Sequence, residues 1–180
     1  MWFLIRYGKS PRFYQNKSVY AHVKIQASNV KNGFGYRMNS QVNSTINHGF
    51  YHHIDNENRV IVTTCISEKA TEEDMLNALA CYQDTIQNHA DIIDYNEVLI
   101  FPEATDITLT MNGVKKLAKL AVKSDGEDPN RKLAILMQTN LGYGLAKIYQ
   151  AYRTVIKRSG KKVRVYKQVK SALAWAKKTD

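Results

Sequence analysis

Two short apolar runs, Glu97–Phe101 (EVLIF) and Lys132–Met137 (KLAILM), constrain this chain more than any other feature. Neither is long enough for a helix that packs on its own, and Pro102 stops the first. A strand that is apolar at successive positions is buried on both faces, so it belongs inside a sheet covered on two sides.

The segments around these runs supply the other layers. Phe50–Ile54 reads as a strand, Asp55-Asn56-Glu57-Asn58 as a turn, and Arg59–Ile66 as its β-branched partner. Thr71 can cap a helix whose first turn holds Glu72, Glu73 and Asp74, where the dipole favours acids. Met75, Leu79, Tyr82 and Ile86 then recur at helical spacing, out to about His89. Thr110 caps a second helix with Val114, Leu117, Ala118 and Ala121 on one face, and Asp125–Pro129 breaks the chain. Thr139 or Asn140 opens the longest helix, with Leu141, Leu145, Ile148, Tyr149, Tyr152 and Ile156 as its stripe and Gly160 beyond its end. Val163–Tyr166 is a last strand, and Val169, Ala172, Leu173 and Ala176 share one face of a closing helix. The expected fold is α/β, with a mixed, mostly parallel five-stranded sheet in the order ββαβαβαβα. Right-handed crossovers join its parallel strands, and only the first hairpin is antiparallel.

This pattern starts at Gly49, so the domain is expected over residues 49–180. Residues 1–48 are rich in Asn, Ser, Lys and Tyr, contain no acid and keep no period of 2 or 3.6. Three explanations compete for this leader: translated sequence upstream of a start at Met38, a poorly ordered basic arm, or an organelle transit peptide. Residues 1–37 are expected to be dispensable for folding. The net charge of +10 is unevenly spread, with a basic leader, an acidic stretch from Asp55 to Thr110 and a strongly basic remainder. A single basic groove is not implied. No apolar run is long enough for a transmembrane segment. Cys65 and Cys81 are too few for a disulfide framework and sit among apolar residues, as buried free thiols do.

The element order, the helix opening LGYGLAKIYQAY (Leu141–Tyr152) and the ending VRVYKQVKSALAWAKK (Val163–Lys178) resemble the STAS-like domains. These share a fold with anti-sigma-factor antagonists and the cytoplasmic ends of sulphate transporters, and the likeness is greatest to the small stand-alone bacterial members. The resemblance implies a cytoplasmic, non-enzymatic regulatory module, a monomer or weak dimer that needs no cofactor. It would engage a partner protein or a small anionic or lipid-like ligand through its strand-end loops and neighbouring helices. The antagonists carry an Asp-Ser pair, the phosphorylation switch, where this chain has Phe101–Thr110 without one. Thr108 and Thr110 are the possible modification sites there, although Thr110 is better explained as a helix cap.

In open α/β sheets ligands usually bind beyond the carboxyl ends of the strands. Here those ends supply Glu68, Glu103, Asp106, Gln138, Thr139 and Asn140. The sharpest candidate is Thr139-Asn140-Leu141-Gly142-Tyr143-Gly144 with Lys147, where two glycines expose N–H groups at a helix N-terminus that can stabilise an anion. Close packing of the helix on the sheet explains the same glycines, and the spacing is not that of a phosphate loop. His48, His52 and His53 suggest a metal, but successive strand residues point to opposite faces and cannot chelate together, so no metal is expected. No nucleophile has a local base, and no catalytic residue is assigned. The cations Lys157, Arg158, Lys161, Lys162, Arg164, Lys167 and Lys170, with Tyr166 and Trp175 nearby, support an alternative partner, nucleic acid or an anionic membrane.

Overall fold

The computed structural model describes residues 44–87, 89, 91–123, 125, 130–156 and 160–177. Most of the expected leader, with Met38, and the cations Lys157 and Arg158 lie outside them. The elements are β1 (Ser44–Asn47), β2 (Phe50–Asp55), β3 (Val60–Cys65), β4 (Lys69–Thr71), α1 (Glu72–Gln87), β5 (Asn96–Phe101), β6 (Asp106–Thr108), α2 (Met111–Val122), β7 (Arg131–Met137), α3 (Asn140–Val155), β8 (Lys161–Tyr166) and α4 (Val169–Lys177).

The five expected strands assemble into a mixed, mostly parallel sheet, and β1 joins as a sixth at its edge, in the order β1-β2-β3-β5-β7-β8. The sheet therefore begins before the boundary expected at Gly49, and a second antiparallel ladder joins the first hairpin. The physical reason is the His48-Gly49 turn. Both residues have positive φ, 45° and 78°, as a two-residue hairpin of primed type requires. A Cβ on Gly49 would also meet Ser67 Oγ at 2.1 Å, so the turn has no room for a side chain there. Two further short strands, β4 and β6, pair parallel to each other beside the main sheet and were not expected.

Local chemistry sets the helix starts. Thr71 and Asp74 form a reciprocal cap: the Asp74 N–H donates to Thr71 Oγ1 at 3.2 Å and the Thr71 N–H to Asp74 Oδ2 at 3.0 Å. Thr110 Oγ1 accepts from the Gly113 N–H at 2.9 Å and donates to Glu72 Oε2 at 2.8 Å, tying two helix starts together. Thr110→Ala is expected to cost about 1 kcal/mol, as lost caps do, read as a lower thermal midpoint. An unchanged midpoint would mean that water replaces the cap.

Strands β3, β5, β7 and β8 lie side by side in sequence order, so right-handed crossovers put the intervening helices on one face. That face packs Met75 and Ala78 of α1, Leu117 of α2 and Ala146 of α3 against Phe101 and Ile135. The other face is covered by α4, whose Ala172 and Ala176 seat on Val98, Ala134 and Leu136. All seven residues of β7 are buried, as a central strand covered on both sides must be. The expected face of α2 is the buried one. On α3 the buried residues are Gly142, Ala146 and Arg153, next to the expected stripe instead of on it, and Leu141 is 72% exposed. The close fit of Gly142 on Met137 and the pairing of Arg153 with Asp125 turn the helix this way.

Candidate functional site

A cavity of about 150 Å³ lies between the sheet and helices α1, α2 and α3. Its walls are aliphatic and aromatic: Leu79 and Ala78 from α1, Leu117 from α2, Leu145 from α3, and Leu99 and Ile135 from the sheet. At one end the lining becomes polar, with His52, Tyr82, Glu97, Tyr149, Arg153 and Lys161.

The topology brings these polar groups together. Glu97, Arg131 and Lys161 stand at the first turns of chain in β5, β7 and β8, two residues before Leu99, Leu133 and Val163 on the same face. Parallel strands start at one end of a sheet, and the preceding crossover helices finish there. Asp125, just beyond α2, and Arg153, in the last turn of α3, are thus delivered to the same end.

Lys161 Nζ donates to Glu97 Oε1 at 2.5 Å and lies 3.8 Å from Asp125 Oδ1. Arg131 Nη2 approaches Glu97 Oε1 at 3.5 Å. Arg153 pairs with Asp125 and donates to the Tyr149 hydroxyl at 2.8 Å. Burial alone would raise the Glu97 carboxyl, but Lys161 and then Arg131 outweigh it and hold the group below the usual carboxylate range. Burial raises the Tyr149 hydroxyl, opposed by Arg153. Two carboxylates thus face three cations inside the protein, each cation with a carboxylate beside it.

His52 and Tyr82 are different. Their rings stack with centroids 5.2 Å apart, and His52 is 6% exposed. His52 Nδ1 shares a hydrogen bond of 2.9 Å with Thr63 Oγ1, while His52 Nε2 is buried without a hydrogen-bond partner and the Tyr82 hydroxyl turns toward the Glu97 carboxylate. Burial lowers the His52 pKa to about 4, with Glu97 opposing, so the imidazole is neutral at pH 7. Burial also pushes the Tyr82 hydroxyl well above its ordinary value, and the Glu97 carboxylate adds to this.

None of the residues expected at the strand-end turn lines this cavity. Thr139 caps α3 by accepting from the Gly142 N–H at 3.1 Å, so that N–H is already used. A Cβ on Gly142 would meet Thr139 Oγ1 at 2.8 Å and Met137 Sδ at 3.1 Å, which makes close packing the reason for this glycine. Gly144 faces open space. Lys147 donates to Gln150 Oε1 at 3.1 Å and lies 5.6 Å from the Tyr143 ring centre. Lys167 lies 5.1 Å from the same ring centre and donates to Asn140 Oδ1 at 2.7 Å. Thr108 is exposed in β6, and Thr110 is the α2 cap.

Other candidates are also located. His52 is buried while His53 is exposed, on opposite faces of β2. Among the described residues no group of three His, Cys, Asp or Glu side chains converges as a metal site. Burial raises the Cys65 thiol above its ordinary value, which makes it a poor nucleophile. Of the basic run, Lys161 belongs to the buried cluster instead of the solvated face. Arg164 Cζ sits 5.0 Å and Lys132 Nζ 5.8 Å from the Trp175 ring centre, so this half-buried ring already carries two cations. No described helix is long and apolar enough to cross a membrane.

Comparisons with protein-family models, with curated proteins and with solved structures give no match to this chain.

Proposed function

We propose that this domain is a non-enzymatic binding module of the STAS-like type whose ligand is a small, mainly apolar molecule held between the sheet and α1–α3. The observation that carries the reading is the cavity of about 150 Å³, apolar along its walls and polar at one end. A cavity of about that size lined by aliphatic and aromatic groups can stay dry and admit a benzene-sized molecule. A pocket with apolar walls and a few convergent polar groups is the ordinary form of a small-molecule site. The STAS-like type is supported by the element order and by the Leu141–Tyr152 and Val163–Lys178 segments. In this reading, ligand occupancy alters how the domain engages a partner protein. The nucleic-acid or anionic-membrane alternative rests on exposed cations such as Lys162, Arg164 and Lys167, and a steep loss of binding with salt would favour it.

Filling the cavity is the test. Ala78 is 5% exposed and lines the wall, so Ala78→Ile adds three carbons to the space. The variant is expected to gain about 1 kcal/mol in urea denaturation, less than full burial of those carbons would give because the fit is imperfect. It should also lose the amide NMR shifts that toluene induces at Leu79, Ile135 and Leu145 in the parent. Destabilisation by Ala78→Ile together with no toluene response in the parent would sink the reading.

A further inference from the structure

We propose that the ligand is uncharged and carries one hydroxyl group, which seats against His52 and Tyr82 while its apolar body fills the cavity. This inference rests on the cavity being a ligand site and names the class of ligand it takes.

The argument starts from which polar atoms still have bonding capacity. Lys161 and Arg153, the cations on the cavity wall, are engaged by Glu97 and Asp125. An anionic ligand would have to compete with those carboxylates and would lie beside Glu97, whose charge opposes it. Asp125 on the same wall is held by Arg153 and Lys161, which leaves capacity at neutral groups: His52 Nε2 is unpartnered, and the Tyr82 hydroxyl, turned toward Glu97, can still accept. The two rings stack with centroids 5.2 Å apart, which puts both groups on one stretch of the wall.

The chemistry of that patch selects a hydroxyl. The imidazole has two neutral tautomers, because Thr63 Oγ1 can either donate to Nδ1 or accept from it. In one tautomer Nε2 donates and in the other it accepts. A hydroxyl group matches both, since it is donor and acceptor at once, and its second bonding direction serves the Tyr82 hydroxyl. A hydrocarbon would leave His52 Nε2 unsatisfied, which is costly at a buried site. A carboxylate can only accept, and it would pay desolvation with no free cation on the wall. The neutral state of His52 agrees with an uncharged ligand.

The test uses three ring compounds, titrated at pH 7 into the full chain and followed by amide NMR shifts and calorimetry: toluene and phenol, which match in size, and benzoate, which carries a carboxylate. Phenol is expected to bind roughly tenfold tighter than toluene, the equivalent of one or two net hydrogen bonds, with benzoate weakest. Tyr82→Phe keeps the ring and the stacking while removing the hydroxyl, and should bring phenol down to the level of toluene without altering toluene binding. Equal binding of toluene and phenol to the parent would overturn the hydroxyl proposal while leaving the cavity as an apolar site. Tightest binding by benzoate would overturn it in favour of an anion. A phenol preference that survives in both Tyr82→Phe and His52→Gln would place the polar contact elsewhere and equally overturn it. Failure of all three compounds to bind the parent would remove the cavity reading together with this one.

Discussion

Glu97→Ala is expected to destabilise the domain by about 3–5 kcal/mol, the largest effect of any single substitution argued from this structure. Lys161 and Arg131 both face that carboxylate, and their side chains are 7% and 1% exposed. Removing it takes away the carboxylate that faces Arg131 and leaves Lys161 with Asp125 at 3.8 Å, an acid that already pairs with Arg153. The cost is the exposure of buried charge to a medium that cannot solvate it, rather than the value of one ion pair. Glu97→Gln should be milder, because an amide keeps the shape and one acceptor oxygen. Urea denaturation of the two variants at pH 7 measures both. A loss under about 1 kcal/mol for Glu97→Ala, the range of solvated surface pairs, would show that water reaches the cluster.

The second large effect concerns pH. The His52 pKa falls from its ordinary 6.5 in the unfolded chain to about 4 in the fold, because burial penalises the imidazolium more than Glu97 favours it. Between those values the unfolded chain binds a proton that the folded one does not, so stability rises with pH across this window. The stabilising contribution is complete above pH 6.5 and is lost as pH falls toward 4, by about 3 kcal/mol in total. Glu97 adds a loss of the same sign at lower pH, since its pKa is also depressed in the fold. Urea midpoints measured from pH 7 to pH 4 should fall steadily in the parent and stay nearly flat over that range in His52→Gln. A flat parent profile would mean that the imidazole is solvated or protonated in the fold.

The expected elements rest on short-range chemistry, and that is why they are found where the residues place them. Thr71, Thr110 and Thr139 each satisfy an N–H group at a helix start from three residues away, a distance at which neighbours decide the outcome. The apolar run ending at Met137 needs no partner to announce that it is covered on both faces. β1 was not legible, because Ser44–Asn47 is polar and gains strand form only from pairing with β2 across the His48-Gly49 turn. β4 and β6 are three residues each, too short for a period, and each exists through the other.

The candidate site was less legible than the fold. In the sequence His52 has only the look of a metal ligand beside His48 and His53, and Tyr82 that of one position in an apolar stripe. Asp125 stands in a chain break and Lys161 in a basic run. The signals present were faint: Glu97 at the head of an apolar strand, and Arg153 one turn past Tyr149 on a helical face. The strand-end glycines drew attention because their local pattern was sharper, yet Gly142 is accounted for by contact with Thr139 and Met137.

By itself the sequence determined the alternation of strands and helices, the caps that start the helices and the buried face of α2, since these depend on residues a few positions apart. Tertiary structure alone decided that Glu97 and Asp125 would pair with Arg131, Arg153 and Lys161, and that His52 and Tyr82 would stack as neutral polar groups on the wall of an apolar cavity. The reason is physical. Parallel strands begin at the same end of the sheet and their crossover helices end there, so charges far apart in the chain converge at buried positions where pairing replaces much of their hydration.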